Sequence, residues 1–174
     1  MTSIDTVISS DKFDRPWHLA QDHTRTEDVV KHVLSYRHNA KYKWVVLLQP
    51  TSPLRTPEDV TRACELAAYH DADSVVSMCY EGTHRPKFWY GDVGSDGMCH
   101  HHGDLLCETL WRNGSIYITK VSFLMEHDKM FSRSPIPYIM PPEKSMDINT
   151  EFDFYLAECA AKRLMEAGEW PKTS

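Results

Sequence analysis

The feature that most constrains this chain is a short unbroken apolar run, Val45 to Leu48, which closes on Gln49-Pro50. A run of this length without polar alternation reads as a strand buried on both faces. A strong helix start follows it. Thr56-Pro57-Glu58-Asp59 combines an N-cap threonine, a proline at the first helical position and acids near the positive end of the helix dipole. Val60, Ala63, Cys64 and Ala67 then recur at helical spacing, and Ser74 to Cys79 reads as the next strand. The order strand, helix, strand predicts an α/β chain with a mostly parallel sheet and right-handed crossovers.

The flanking segments fit the same class. Ser10 to Asp14 is polar, and Arg15-Pro16 starts a loop, because the residue before proline is pushed out of the helical region. Thr26 is placed to cap a helix over Glu27-Asp28, whose apolar face is Val29, Val30, Val33 and Leu34. Ser115 to Thr119 reads as a strand, and Pro135 to Met140 as an edge segment limited by its prolines. The last helix begins at Thr150, with Thr150 and Asp153 as a capping pair and Phe152, Tyr155, Leu156, Ala160 and Leu164 as the apolar face. Between Glu81 and Arg112 the pattern is irregular, and Gly91, Gly94, Gly97 and Gly103 mark turns or hairpins.

Composition limits the function classes. With 174 residues, 41% of them hydrophobic and 25% charged, the chain suits one soluble globular unit spanning 1–174. No apolar run approaches the ~20 residues of a membrane span, and the N-terminus lacks the shape of a signal peptide, so a cytoplasmic location is expected. A formal charge of −6 disfavours a nucleic-acid polymer as partner and points to a mononucleotide if a nucleotide is bound at all. Five cysteines without a CxxC pair suggest reduced thiols.

Three segments go beyond fold-level pattern. They are Leu48-Gln49-Pro50-Thr51-Ser52-Pro53-Leu54-Arg55, Arg112-Asn113-Gly114-Ser115-Ile116-Tyr117-Ile118 and Asp147-Ile148-Asn149-Thr150-Glu151-Phe152-Asp153-Phe154. Two weaker ones are Arg15-Pro16-Trp17-His18-Leu19-Ala20-Gln21-Asp22 and Arg85-Pro86-Lys87. Together, and in this order, they resemble the acylneuraminate cytidylyltransferases, the CMP-N-acetylneuraminic acid synthetase family. The resemblance implies a Rossmann-like nucleotidyltransferase fold, a three-layer sandwich. It implies an enzyme that joins CTP to a nonulosonic (sialic-type) acid with Mg²⁺, releases pyrophosphate and pairs as a homodimer. The Glu81 to Arg112 region is where that pairing contact is expected.

The resemblance also suggests roles for particular residues. Asp147 is the metal-ligand candidate, since Mg²⁺ prefers hard oxygen ligands, and Asn149 stands where the family has a second aspartate. An amide oxygen can coordinate but brings no charge, so weaker or water-mediated metal binding is expected there. The bland alternative is that both residues only arrange the start of the last helix. Arg112 is expected to hold the sugar carboxylate through its guanidinium fork, with Asn113 beside it, and Gln49 to contact the sugar. A surface arginine and a loop-orienting amide are the structural alternatives. Lys87 adds positive charge for sugar or phosphate, or is simply solvated. Arg15 and Thr26 lie where the family recognises cytosine, although Thr26 is equally explained as an N-cap. A zinc site from Cys99, His100, His101, His102 and Cys107 is disfavoured, because adjacent histidines project in different directions.

One family feature has no match. The strand and Gly-, Lys- and Arg-containing loop that wrap the triphosphate are expected to be missing, with Val7-Ile8-Ser9-Ser10 as the family's next strand and a sheet edge left uncovered. Little or no transfer by the chain alone is the consequence. A non-catalytic sugar- or nucleotide-binding remnant is therefore the competing reading, and a nucleotidyltransferase for a shorter sugar acid a third.

Overall fold

The computed structural model describes residues 15–36, 42–80 and 110–170, and the backbone alone of 91–93 and 99–101. Strands β1 (Trp44–Leu47), β2 (Ser74–Tyr80), β5 (Leu110–Lys120) and β6 (Ile136–Ile139) form one sheet in the order β1-β5-β2-β6. Strands β3 (Gly91–Val93) and β4 (Cys99–His101) pair separately as an antiparallel hairpin, as the glycine-rich stretch suggested. Helices α1 (Thr26–Tyr36), α2 (Pro57–Tyr69), α3 (Val121–His127) and α4 (Glu151–Glu166) complete the regular structure, with short 3₁₀ turns at Trp17–Leu19 and Pro142–Lys144.

The sheet is mixed, which corrects the expectation of a mostly parallel one. β1 and β2 each pair antiparallel with β5, and only β2 with β6 is parallel. Three of the four strands thus share one direction, and β5 is inserted between two of them in the opposite sense. Sequence order cannot reveal such an insertion, because the residues that decide it are far apart along the chain. β5 also begins earlier than its apolar core suggested. Arg112-Asn113-Gly114 precedes the strand expected from Ser115 but lies inside it, at a bulge. The register jumps there from Val76 opposite Tyr117 to Met78 opposite Arg112. Gly114 has φ +74°, a left-handed conformation that suits glycine.

Two apolar clusters sit on opposite faces of the sheet. Ala63, Cys64 and Ala67 of α2 pack with Val75, Ile116, Ile118 and Met140, joined by Trp44, Val46 and Leu48. Val30 and Leu34 of α1 pack with Val121, Leu124 and Met130, joined by Val45 and Leu47. Alternate residues of the β1 region therefore face opposite cores, but all four strand residues are only half-buried, because β1 lies at one end of the described sheet and is not fully enclosed as its apolar run predicts. β6, with Pro137 inside it, lies at one edge of the sheet as expected.

Helix ends follow local chemistry, with one correction. Thr56 and Asp59 form a full capping box at α2, and Thr150 and Asp153 form another at α4. At α1, however, the first helical bonds from Asp28 and Val29 end on the Arg25 carbonyl. Arg25, not Thr26, therefore occupies the cap position. The apolar face assigned to α4 is also revised, since Phe152 is 65% and Tyr155 60% exposed while Ala157 and Leu164 are buried. Periodicity marked a helix there but could not say which of two adjoining apolar stripes is buried.

Candidate functional site

Three segments distant in sequence meet at the bulge of β5. A Cβ placed on Gly114 would lie 2.9 Å from Ser52 Oγ, 3.1 Å from Gln49 Oε1 and 3.7 Å from Asp147 Oδ1. Gln49 and Ser52 belong to the loop that leaves β1, and Asp147 to the segment between β6 and α4. The loop is held by Arg55, whose guanidinium donates to the carbonyls of Gln49 (2.8 Å), Ser52 (2.6 Å) and, more weakly, Ser115 (3.4 Å). Burial lowers the pKa of Arg55 from its ordinary value. Arg55 lies inside the most specific of the sequence motifs, yet nothing in the motif announces that it closes the loop on itself.

The Asp147 segment is tied down on both sides. Ile148 N–H donates to the Thr51 carbonyl at 2.8 Å, which joins this segment to the β1 loop. Upstream, Lys144 reaches the Asp59 carboxylate at 3.4 Å, and the Tyr138 hydroxyl donates to it at 3.1 Å. Burial alone would raise the pKa of Asp59. The N–H and hydroxyl of Thr56, the Lys144 charge and the Tyr138 hydroxyl outweigh it and hold the carboxyl below its ordinary value. Tyr138 is pushed up to about 12, first by burial and then by the Asp59 charge.

Arg112 borders the same place, with its guanidinium 5.4 Å from the Phe131 ring centroid. Tyr117, whose ring lies 5.0 Å from that of Phe131, connects the two charges of the site. Burial raises its phenol, the Arg112 charge lowers it and the Asp147 charge raises it, so one hydroxyl lies in the fields of both. Tyr117 and Phe131 were not among the sequence-derived site residues. Tyr117 lies within one of the motifs, but only the fold shows that its hydroxyl feels the charges of both Arg112 and Asp147.

The other candidates distribute as follows. Asn149 donates its amide to Asp147 Oδ2 at 3.2 Å, and its backbone N–H to Asp153 at 3.1 Å. Asn113 is fully buried beneath the bulge. Arg15 and Thr26 are exposed, and no contact among the described residues joins them to Gln49, Gly114 or Asp147. Lys87, His102 and Cys107 lie outside the described residues, as do Val7 to Asp14, and the side chains of Cys99, His100 and His101 are likewise not described. Among the described residues no group of three His, Cys, Asp or Glu side chains could hold a metal ion.

A mixed sheet with helices on both faces, and a polar site in the segments that follow β1 and β6, defines an α/β protein compatible with a Rossmann-like fold. Comparison with known proteins narrows this class. No protein-family model matches the chain. It is 31% identical over 145 residues to an N-acylneuraminate cytidylyltransferase of Streptococcus agalactiae, which covers 78% of this chain and 34% of that protein. An Escherichia coli N-acylneuraminate cytidylyltransferase is 29% identical over 150 residues, 82% of this chain and 35% of the other. A CMP-N,N'-diacetyllegionaminic acid synthase of Legionella pneumophila is 29% identical over 169 residues, 88% of this chain and 70% of the other. Over most of its length the chain is therefore similar to N-acylneuraminate cytidylyltransferases, and it spans about a third of the length of the first two relatives.

Proposed function

We propose that this chain carries the sugar-side half of a site that transfers CMP from CTP to a nonulosonic acid. The observation that supports this reading best is the convergence of Gln49, Ser52 and Asp147 on Gly114, with Arg112 two residues away in the chain. Arg112 presents a planar fork for the sugar carboxylate, and Gln49 an amide that can both donate to and accept from sugar hydroxyls. Tyr117 and Phe131 form an aromatic wall beside the guanidinium. In the proposed reaction the anomeric oxygen forms a bond to the α-phosphorus, and the bond to the β-phosphate breaks to release pyrophosphate.

The donors near Asp147 fit Mg²⁺ in kind. They are hard oxygens, one carboxylate with the amide oxygens of Asn149 and Gln49, the sort of partial shell that Mg²⁺ completes with substrate phosphates. When bound, the ion would neutralise triphosphate charge. Asp147 would hold it, with Asn149 assisting once its amide turns away from the Asp147 carboxylate.

That contact between Asn149 and Asp147 favours a second reading, a binding remnant. The test is CTP-dependent pyrophosphate release with N-acetylneuraminate and Mg²⁺, on this chain and on one fused to a relative's N-terminal segment. Release that requires both substrates supports the transferase. Binding of the sugar acid without release in either form supports the remnant. A homodimer is also proposed, and a strictly monomeric chain in cross-linking would count against it.

A further inference from the structure

Asn113 offers no surface to a substrate, being 0% exposed. Its side-chain oxygen accepts from the Ser77 hydroxyl at 2.6 Å and from the Ser115 N–H at 3.2 Å. Its amide nitrogen donates to the Ser145 hydroxyl at 2.8 Å, and its backbone carbonyl accepts from Ser52 at 3.0 Å. One residue thereby joins β2, the bulge of β5, the β1 loop and the segment that leads to Asp147.

We infer that Asn113 is a positioning residue, which sets the placement of Asp147 against Gln49 without touching substrate. Ser145 lies just upstream of Asp147, and Ile148 just downstream of it donates to Thr51. Asp147 is thus suspended between two ties. The Ser145 tie ends on Asn113 directly, and the Ile148 tie ends on the loop that Asn113 holds through Ser52. The Ser145 hydroxyl is itself oriented, since it donates to the Pro141 carbonyl at 2.9 Å. On the other side of the amide, Ser77 serves the bulge, accepting from the otherwise unladdered Ile116 N–H at 2.7 Å. The two ends of one side chain therefore do different work. The Ser77 end serves the bulge, and the Ser145 end ties the Asp147 segment to Asn113, which the backbone of β5 itself holds in the sheet. A buried amide with one end in the ladder and the other on a loop is costly to strip of a partner, which makes the coupling stiff.

The significance of this coupling for binding rests on the proposed function, but the coupling itself is measured without ligand. Amide hydrogen exchange at Ile148 reads it in the whole chain, comparing wild type with Ser145→Ala and Ser77→Ala. The expected result is about tenfold faster exchange at Ile148 in Ser145→Ala, the scale of one lost net hydrogen bond, and no comparable change in Ser77→Ala although both variants melt lower. Unchanged Ile148 protection in Ser145→Ala would overturn the inference, and so would acceleration in both variants in step with their melting temperatures. Calorimetric binding of N-acetylneuraminate with Mg²⁺ to the same proteins is the second arm. A loss of affinity confined to Ser145→Ala is expected, and equal loss in both variants counts against a positioning role. If the wild-type chain binds neither CTP nor N-acetylneuraminate, the proposed function fails, while Ile148 exchange still decides what Asn113 does.

Discussion

At the scale of single residues the site is a matter of close approach. Gly114 is the pivot, because a side chain there would press on Ser52 Oγ and Gln49 Oε1 while its backbone holds φ +74°. Gly114→Ala is therefore expected to destabilise the fold by about 1–3 kcal/mol in urea or thermal unfolding, from left-handed strain and crowding together. Asp147 has a different kind of importance, since Ile148, not Asp147, carries the backbone tie. Asp147→Ala should leave the melting temperature nearly unchanged. In a form of the protein that turns over, the same change should lower pyrophosphate release at least about hundredfold, from loss of the charge that would hold the cation. Retained release in that variant would remove Asp147 from the chemistry.

At the scale of elements, the connection from β6 to α4 is anchored by the buried Asp59 carboxylate and capped by Thr150 and Asp153. Because the folded state holds Asp59 below its ordinary pKa, its contribution is fully present above the unfolded value of about 3.9 and is lost as pH falls through the lower folded value. Asp71, Asp128 and Asp153 are also lowered, by side-chain hydrogen bonds to Lys43 and Lys120, to Lys31 and Arg25, and to Thr150 respectively. Acid sensitivity is therefore shared, and a comparison with Asp59→Asn isolates one share. That variant should melt lower than wild type near pH 7, and the gap should close as pH drops below about 4. The revised face of α4 gives a further check by thermal unfolding. Leu164→Ala is expected to cost about 2–5 kcal/mol, whereas Phe152→Ser on the exposed stripe should change stability by less than about 0.5 kcal/mol.

At the scale of the whole molecule, two cores on opposite faces of one sheet fix the relative position of three motifs that are far apart in sequence. β1 reaches both cores, and so the loop that follows it is carried on the most doubly anchored strand. Among the described residues, no helix is long and apolar enough to cross a membrane. Leu124 lies at the centre of the α1–α3 core, fully buried. Leu124→Ala should cost about 2–5 kcal/mol and, by loosening one face of the sheet, should lower denaturation midpoints without altering the contacts around Gly114.

The sequence by itself determined what depends on neighbours in the chain. The helix starts at Thr56 and Thr150 were legible because capping is a contact over three residues, and β1 was legible as a strand that packs on two sides because an unbroken apolar run has few other uses. The three motifs were legible as composition and spacing. Only the tertiary structure decided what depends on residues brought from afar. It inserted β5 antiparallel beside β1, drew Asn113-Gly114 into that strand as a bulge, and buried Asn113. It also brought Tyr117 into the fields of both Arg112 and Asp147, and chose which stripe of α4 is buried. The physical reason is the same in each case: strand pairing, burial and electrostatic fields are properties of position in space, and along this chain the groups that set them are separated by tens of residues.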